Sequence, residues 1–386
     1  MTVLAQRTLR PLSVMRKQNK ELIFVDKKRL VIVGGGYAGA ELAKAMDPYV
    51  DVTLIEPRAA FVMSSAAIRA MVDPSLLDRI IMPYDSLLTR GRVIRGRART
   101  VGENSVTLAD GDVIPADMVV VATGSTYATP FKPVSEDIVE FRRTAEATAA
   151  KLAASRSVVI VGAGAVGTEL AGEIAAMHDD IKVTLISADS NLFPDYPRKF
   201  GARLHRKLEK LGVELVTGQR VKQLQHKDEP HAGSVTLTDG TVIDADLVVP
   251  AVGSVPQMSA LRELPGSVLS AKGRAKVDPW LRPSPSYQNV FALGDIADTG
   301  DGMTIVAITR QVPWMAKMLR QVVDGRTVEQ TKRYKPWQRA PLLLPLGSQI
   351  GASWIFATFG NWVTRKMKGE SLFIPKYRKI FGLKDT

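Results

Sequence analysis

Residues 105–125 read SVTLADGDVIPADMVVVATGS, and residues 234–254 read SVTLTDGTVIDADLVVPAVGS. The two stretches agree at 15 of 21 positions with an offset of 129. Each turns through an Asp-Gly pair, as a hairpin does, and closes on an apolar run of the kind a buried strand needs. Upstream of each lies a glycine loop, Gly34-Gly-Gly36-Tyr-Ala-Gly39 and Gly162-Ala-Gly164-Ala-Val-Gly167, offset by 128. Solenoid repeats have periods of about 20–50 residues, so this spacing marks a duplicated domain.

The copies are built alike. A continuous apolar run (Arg29–Val33; Ser157–Val161) feeds the glycine loop, an alanine-rich segment follows (Ala38–Met46; Val166–Met177), and a second apolar run comes next (Val52–Glu56; Val183–Ser187). Buried strands alternating with amphipathic helices predict an α/β fold with two Rossmann-like parallel sheets. Pro130 and Pro133 make residues 127–140 a linker. The segment Asn289-Val-Phe-Ala-Leu-Gly-Asp295 has no counterpart in a simple tandem pair and reads as the chain returning to complete the first domain, so the second is inserted in it.

The glycine loops carry the first chemistry. In GxGxxG after a strand, the first glycine makes the turn and the second lets a pyrophosphate approach the backbone. The third brings the helix onto the strand, with the helix N-terminus toward the anion. Gly34, Gly36 and Gly39 satisfy this, and Glu56, 22 residues after Gly34, stands where a carboxylate accepts from ribose hydroxyls. Gly162, Gly164 and Gly167 repeat the geometry, but the strand that follows ends at Ser187. The missing acid points to NADPH, or to both nicotinamides, with Arg198 and Lys199 downstream as possible sources of charge. Glu169, just past Gly167, reads two ways: an acid favoured by the helix dipole, or a group at the mouth of the nicotinamide site.

A chain of 386 residues suits two domains with appendages. Its 45% apolar and 24% charged residues argue against wholesale disorder and against a polytopic membrane protein. The absence of cysteine excludes disulfides, thiolate metal sites and a CxxC relay. His178, His205, His226 and His231 show no ligand spacing, and no metal is expected. Residues 1–28 carry +5 and residues 331–386 carry +9 of the net +13, leaving −1 between them. Basic ends on a near-neutral body suit an anionic surface. Basic residues interleaved with aromatics occur only in the tail, so nucleic acid is not the expected partner.

Taken together, the two glycine loops, the exits Ala122-Thr123-Gly124 and Ala251-Val-Gly253, and the late Gly294-Asp295 resemble the two-dinucleotide-binding flavoproteins of the pyridine nucleotide–disulfide reductase-like superfamily. Ala66-Ala-Ile-Arg69-Ala, Ala122–Ser125, Asn289–Asp295 and Arg365-Lys-Met-Lys368-Gly-Glu-Ser-Leu-Phe373 resemble the apoptosis-inducing-factor-like branch that includes ferroptosis suppressor protein. The resemblance implies FAD on Gly34, Gly36, Gly39, Glu56, Arg69, Ala122, Thr123, Gly124, Gly294 and Asp295. It implies NADPH or NADH on Gly162, Gly164, Gly167, Ser187 and Gly253. It also implies Glu169 and Lys368 beside the nicotinamide and flavin, with Phe373 near a quinone. The domains expected are a basic arm (1–28), an FAD domain in two parts (29–135 and 259–330), an inserted NAD(P) domain (136–258), and a basic strand-and-helix extension (331–386) near the flavin and the membrane. Without cysteine, electrons are expected to pass straight from flavin to acceptor.

Residues 1–20 are basic, hydroxylated and free of acids, which suits a mitochondrial transit peptide or a basic membrane anchor equally. Met1-Thr2-Val3 lacks the glycine that N-myristoylation requires. Ala340–Thr364 holds no charge over 25 residues, but its prolines and glycines disfavour a membrane-spanning helix. Trp354, Phe356, Phe359 and Trp362, followed by Arg365, Lys366 and Lys368, suit either a membrane interface or a core cluster. The expected activity is an FAD-dependent NAD(P)H:quinone oxidoreductase peripheral to a membrane, on its cytoplasmic face or in a mitochondrion. Two alternatives stand: the same fold reducing an electron-transfer protein or acting on a small aromatic metabolite, and a flavin-bound signalling or nucleic-acid-binding protein. The oligomeric state is not legible.

Overall fold

The computed structural model describes residues 27–384, together with the backbone of a short antiparallel hairpin, Val14–Gln18 and Glu21–Val25. The choice between transit peptide and anchor for residues 1–20 falls mostly on residues outside those described, 1–13 and 19–20.

The first unit is a five-stranded parallel sheet in the order Val290–Ala292, Met118–Val121, Arg29–Val33, Asp51–Glu56, Arg92–Arg95. Alternate residues of its first strand serve opposite faces. Leu30 and Ile32 enter a core with the Tyr37–Met46 and Ile305–Val323 helices, while Val31 and Val33 face Ala98, Val106 and Ile296. The Asn289–Asp295 segment does return, since Val290–Ala292 pairs with Met118–Val121.

The second unit is a six-stranded sheet ordered Glu214–Thr217, Lys182–Ser187, Ser157–Val161, Val242–Pro250, His231–Leu237, Val221–Gln223. Its first four strands are parallel and its last two antiparallel. Val158 and Ile160 pack under the Ala165–Met177 and Arg198–Lys210 helices, and Val159 and Val161 pack on Val235 and Val248.

The extension spans both units. Leu342–Leu346, Ile350–Trp354 and Thr358–Phe359 form a three-stranded antiparallel sheet whose Leu342, Leu344 and Leu346 join the second unit's core. A Cβ at Gly172 would come within 2.5 Å of Leu346 Cα, so the Ala165–Met177 helix meets this strand through a glycine. The chain then passes through Asn361–Thr364, a π-helical turn at Arg365–Gly369, and a helix at Ile374–Ile380. That helix packs on the first unit, with Tyr377 5.0 Å from Tyr37 and Phe381 4.9 Å from Phe61, ring to ring. The charge-free 25-residue stretch is thus sheet, loop and one short helical turn at Asn361–Thr364, and no helix among the described residues is long and apolar enough to cross a membrane. The aromatics divide: Trp354 packs on Tyr196, whereas Phe356 and Trp362 are 81% and 70% exposed.

Candidate functional site

A cavity of about 580 Å³, within the usual range for small-molecule sites, starts at the first glycine loop. Gly34 adopts φ +101°, and a Cβ there would lie 2.6 Å from Ala122 O. Only glycine tolerates both conditions. Gly39 packs behind the loop, where a Cβ would fall 1.8 Å from Gly34 O. Gly36 differs from both: it caps the Tyr37–Met46 helix, lines the cavity, and has no protein atom within 4 Å of where a Cβ would stand. The bare backbone and the helix's unpaired first N–H groups therefore open onto the cavity, as a diphosphate requires.

Glu56 ends its strand against the loop, 3% exposed. Gly35 N donates to its Oε2 at 2.7 Å and Arg58 N to its Oε1 at 3.0 Å, and the residue lines the cavity. Ala122, Thr123, Gly124, Gly294 and Asp295 line it further along. Asp295 is held on both sides. Ser125 Oγ donates to its Oδ2 at 2.5 Å, and Lys132 Nζ stands 3.6 Å from that oxygen while donating to Ser125 Oγ at 2.7 Å. Behind it, buried Arg274 donates to Asp295 O at 2.9 Å and Asp301 O at 2.8 Å, and Gly294 N donates to Gln311 Oε1 at 3.0 Å. Lys132 lies in the stretch taken as a linker. Its one sequence signal is a single charge in the apolar run Tyr127–Val134, and burial lowers its pKa.

At the other end the cavity meets Ala165, Val166 and Glu169 of the second unit and Leu342, Leu343, Lys368 and Phe373 of the extension. Lys368 Nζ donates to Glu169 Oε1 at 2.5 Å, with both side chains under a tenth exposed. Residues 199 apart in sequence thus form one buried pair. Burial raises the Glu169 pKa to about 7, against the lowering effect of Lys368. Glu169 is the fifth residue of its helix, whose first turn holds no acid. The helix-dipole reading therefore fails, because that effect is confined to the first turn. Leu372 and Phe373 take φ +51° and +64°, left-handed values that non-glycine residues avoid unless the surroundings impose them.

Two expected residues lie elsewhere. Arg69 is not at the cavity wall: it forms a bidentate pair with buried Glu173 and donates to Gly369 O. The pair satisfies its planar fork more fully than a solvent-filled cavity can. Ser187 is 5% exposed and donates to Asp189 O at 2.9 Å, so it turns into its own loop, while Arg198 and Lys199 are exposed. The second glycine loop keeps the geometry of the first. Gly162 has φ +110°, Gly164 is open, and a Cβ at Gly167 would lie 1.9 Å from Gly162 O. Gly253 takes φ +105° at the strand exit, as Gly124 takes +71°. These second-loop residues are outside the cavity wall, which residues 136–258 reach through Ala165, Val166, Glu169, Ser254 and Gln257. Among the described residues no cluster could hold a metal ion.

Comparisons with known proteins show the family and the fold. The sequence profile of the pyridine nucleotide-disulphide oxidoreductases matches residues 82–313. The chain is 30% identical over 375 residues to apoptosis-inducing factor homolog B of Dictyostelium discoideum, covering 91% of this chain and 96% of that protein. It is 27% identical over 364 residues to human ferroptosis suppressor protein 1, covering 89% and 93%. The solved structure of NDH2 from Plasmodium falciparum in complex with NADH superimposes with a TM-score of 0.67 at 14% identity, over 92% of this chain and 95% of that one, which shows a shared fold. The chain belongs to the pyridine nucleotide-disulphide oxidoreductase family and is an FAD-dependent NAD(P)H oxidoreductase.

Proposed function

We propose that the protein is an NAD(P)H:quinone oxidoreductase working at a membrane surface. The observation that carries this reading is the single cavity joining the first glycine loop to the Glu169–Lys368 pair and to the wall made by the extension. FAD would lie on Gly34, Gly36, Glu56, Ala122–Gly124, Gly294 and Asp295, since the open Gly36 backbone and the held Asp295 carboxylate fit a diphosphate with a polyol arm. NADPH or NADH would take the Gly162–Gly167 loop of the inserted domain, residues 136–258, with residues 29–135 and 259–330 forming the FAD domain. FAD bound there supplies the hydride acceptor for the nicotinamide and the two-electron donor for the quinone.

The chain's own residues do the rest. The extension and the Glu169–Lys368 pair close one end of the cavity against water. Quinone reduction by NAD(P)H takes up a proton. With a pKa of about 7, the Glu169 carboxyl can hold that proton near neutral pH, beside the Lys368 Nζ that donates to its Oε1. Phe373, on a constrained backbone, offers an apolar face to the acceptor. Attachment to a bilayer, on the cytoplasmic face or in a mitochondrion, is supported by the basic ends and by exposed Phe356 and Trp362 next to Lys366.

The test is steady-state oxidation of NADH and NADPH against ubiquinone analogues, menadione, ferricyanide and dioxygen, with and without anionic liposomes. Quinone turnover well above that with dioxygen, further raised by liposomes, is expected. Quinone rates no higher than oxygen rates would return the acceptor to an electron-transfer protein or a small aromatic metabolite.

A further inference from the structure

One arginine ties three elements together behind the cavity wall. Arg69, near the end of the Ser64–Ala70 helix, donates through Nε and Nη2 to Glu173 at 2.9 and 2.8 Å, and through Nη1 to Gly369 O at 2.8 Å. Glu173 is 2% exposed and lies one helical turn beyond Glu169, on the same face. Gly369 closes the π-helical turn Arg365–Gly369 and follows Lys368 directly. A Cβ at Gly369 would come within 2.9 Å of Ser348 O, so the turn is pressed against the hairpin beside it. Single π-turns persist where the surroundings hold them, and they recur at functional sites. Here the holding groups are identifiable, and they stand beside the reactive pair.

We propose that Arg69 and Glu173 are positioning residues that lock the π-helical turn and thereby set Lys368 Nζ against Glu169 Oε1 at the cavity wall. The inference rests on Glu169 and Lys368 being the reactive pair. The charges facing Glu169 are Lys368 from the extension, Arg69 from the Ser64–Ala70 helix and Glu173 from its own helix. Lys368 and Arg69 favour its ionised form, and Glu173 opposes it. Removing Arg69 therefore raises the pH at which Glu169 titrates, through its own lost charge and through the released Lys368; removing Glu173 also releases Lys368, against the loss of its own opposing charge. Charge alone would move the midpoint without loosening the turn, so the lock is read from hydrogen exchange over the turn.

The experiment follows steady-state quinone reduction by NADH in the holoenzyme between about pH 5 and pH 9, across the range where a carboxyl of this kind works as acid or base. Arg69→Met should slow the limiting rate by about ten-fold, as expected from a misplaced reacting group, and raise the midpoint; Glu173→Gln should slow the rate as well. In the holoenzyme, hydrogen exchange over residues 361–373 should quicken about ten-fold in Arg69→Met, reporting the released turn without any turnover. Arg69→Lys keeps the charge but cannot serve Glu173 bidentately and Gly369 together. It should slow reduction with little change of midpoint, and it covers the case in which Arg69→Met does not fold. Wild-type rates in Arg69→Lys, or wild-type hydrogen exchange over residues 361–373 in Arg69→Met, would overturn the positioning role. Wild-type rates in Glu169→Gln and Lys368→Met would instead overturn the reactive-pair reading, leaving the two failures distinguishable.

Discussion

Pro115 in the first copy of the repeat stands where the second copy has Asp244, and the two copies part company there. The first hairpin stops at Pro115, belongs to a separate three-stranded sheet, and the parallel strand restarts at Met118. In the second copy, Val242–Pro250 runs unbroken, antiparallel to His231–Leu237 and parallel to Ser157–Val161. Proline cannot donate to a ladder and is confined to strand ends and edges, which accounts for the break. The consequence reaches the cavity. In the second unit, the hairpin strand His231–Leu237 occupies the place beside the exit strand. In the first unit that place is open to Val290–Ala292, and the returning strand delivers Gly294 and Asp295. Near-identical residues thus build one unit that is complete in itself and one that needs a later strand, and the later strand carries part of the site.

The largest effects should fall equally on both units. Gly39→Ala and Gly167→Ala each drive a methyl group to within 2 Å of a backbone oxygen (1.8 and 1.9 Å). Each should cost about 3 kcal/mol or more by thermal unfolding, at the upper end of overpacking. A mild effect in one unit alone would mean that its helix can move off its strand.

Gly36→Val and Gly164→Val should then separate the units, because neither added side chain begins within 4 Å of a protein atom. Gly36→Val should fold yet lose flavin affinity by about 10–100-fold, the equivalent of one or two lost contacts to a charged group. Gly164→Val should stay yellow and raise the KM for nicotinamide. Stoichiometric flavin in Gly36→Val would end the assignment of FAD to the first unit.

Glu56→Ala removes a buried carboxylate that accepts from two backbone N–H groups. It should cost about 1.5–3 kcal/mol and weaken flavin binding. Ser187→Ala loses one hydroxyl bond to Asp189 O and should cost about 1 kcal/mol, with no change in the NADH-to-NADPH ratio. A shifted ratio would restore Ser187 to the ribose site. The smallest effect is expected for Pro115→Asp, within about 0.5 kcal/mol of wild type, since its hairpin already lies outside the parallel sheet.

Much of the site could be read in advance because it is local. A GxGxxG loop works through the conformation and bareness of its own backbone, and Glu56 is fixed by the end of its own strand. Arg69 is illegible for the opposite reason: its fork meets Glu173, 104 residues away, and Gly369, 300 away, and no spacing announces either. Lys132 is hidden because prolines mark irregular backbone without saying what that backbone covers. Residue type alone does not place Ser187, whose hydroxyl direction depends on the loop after it.

By itself the sequence determined the duplicated α/β units, the two glycine loops with their helices, and the return of residues 289–295, because strand and helix periodicity and glycine geometry are written within short windows. Only the tertiary structure decided that Glu169 and Lys368 form one buried pair, that the extension closes the cavity, and that Arg69 braces it from behind. Those features depend on burial and on long-range closure. A charge accepts burial only when a partner is brought to it, and the partner here arrives from the far end of the chain.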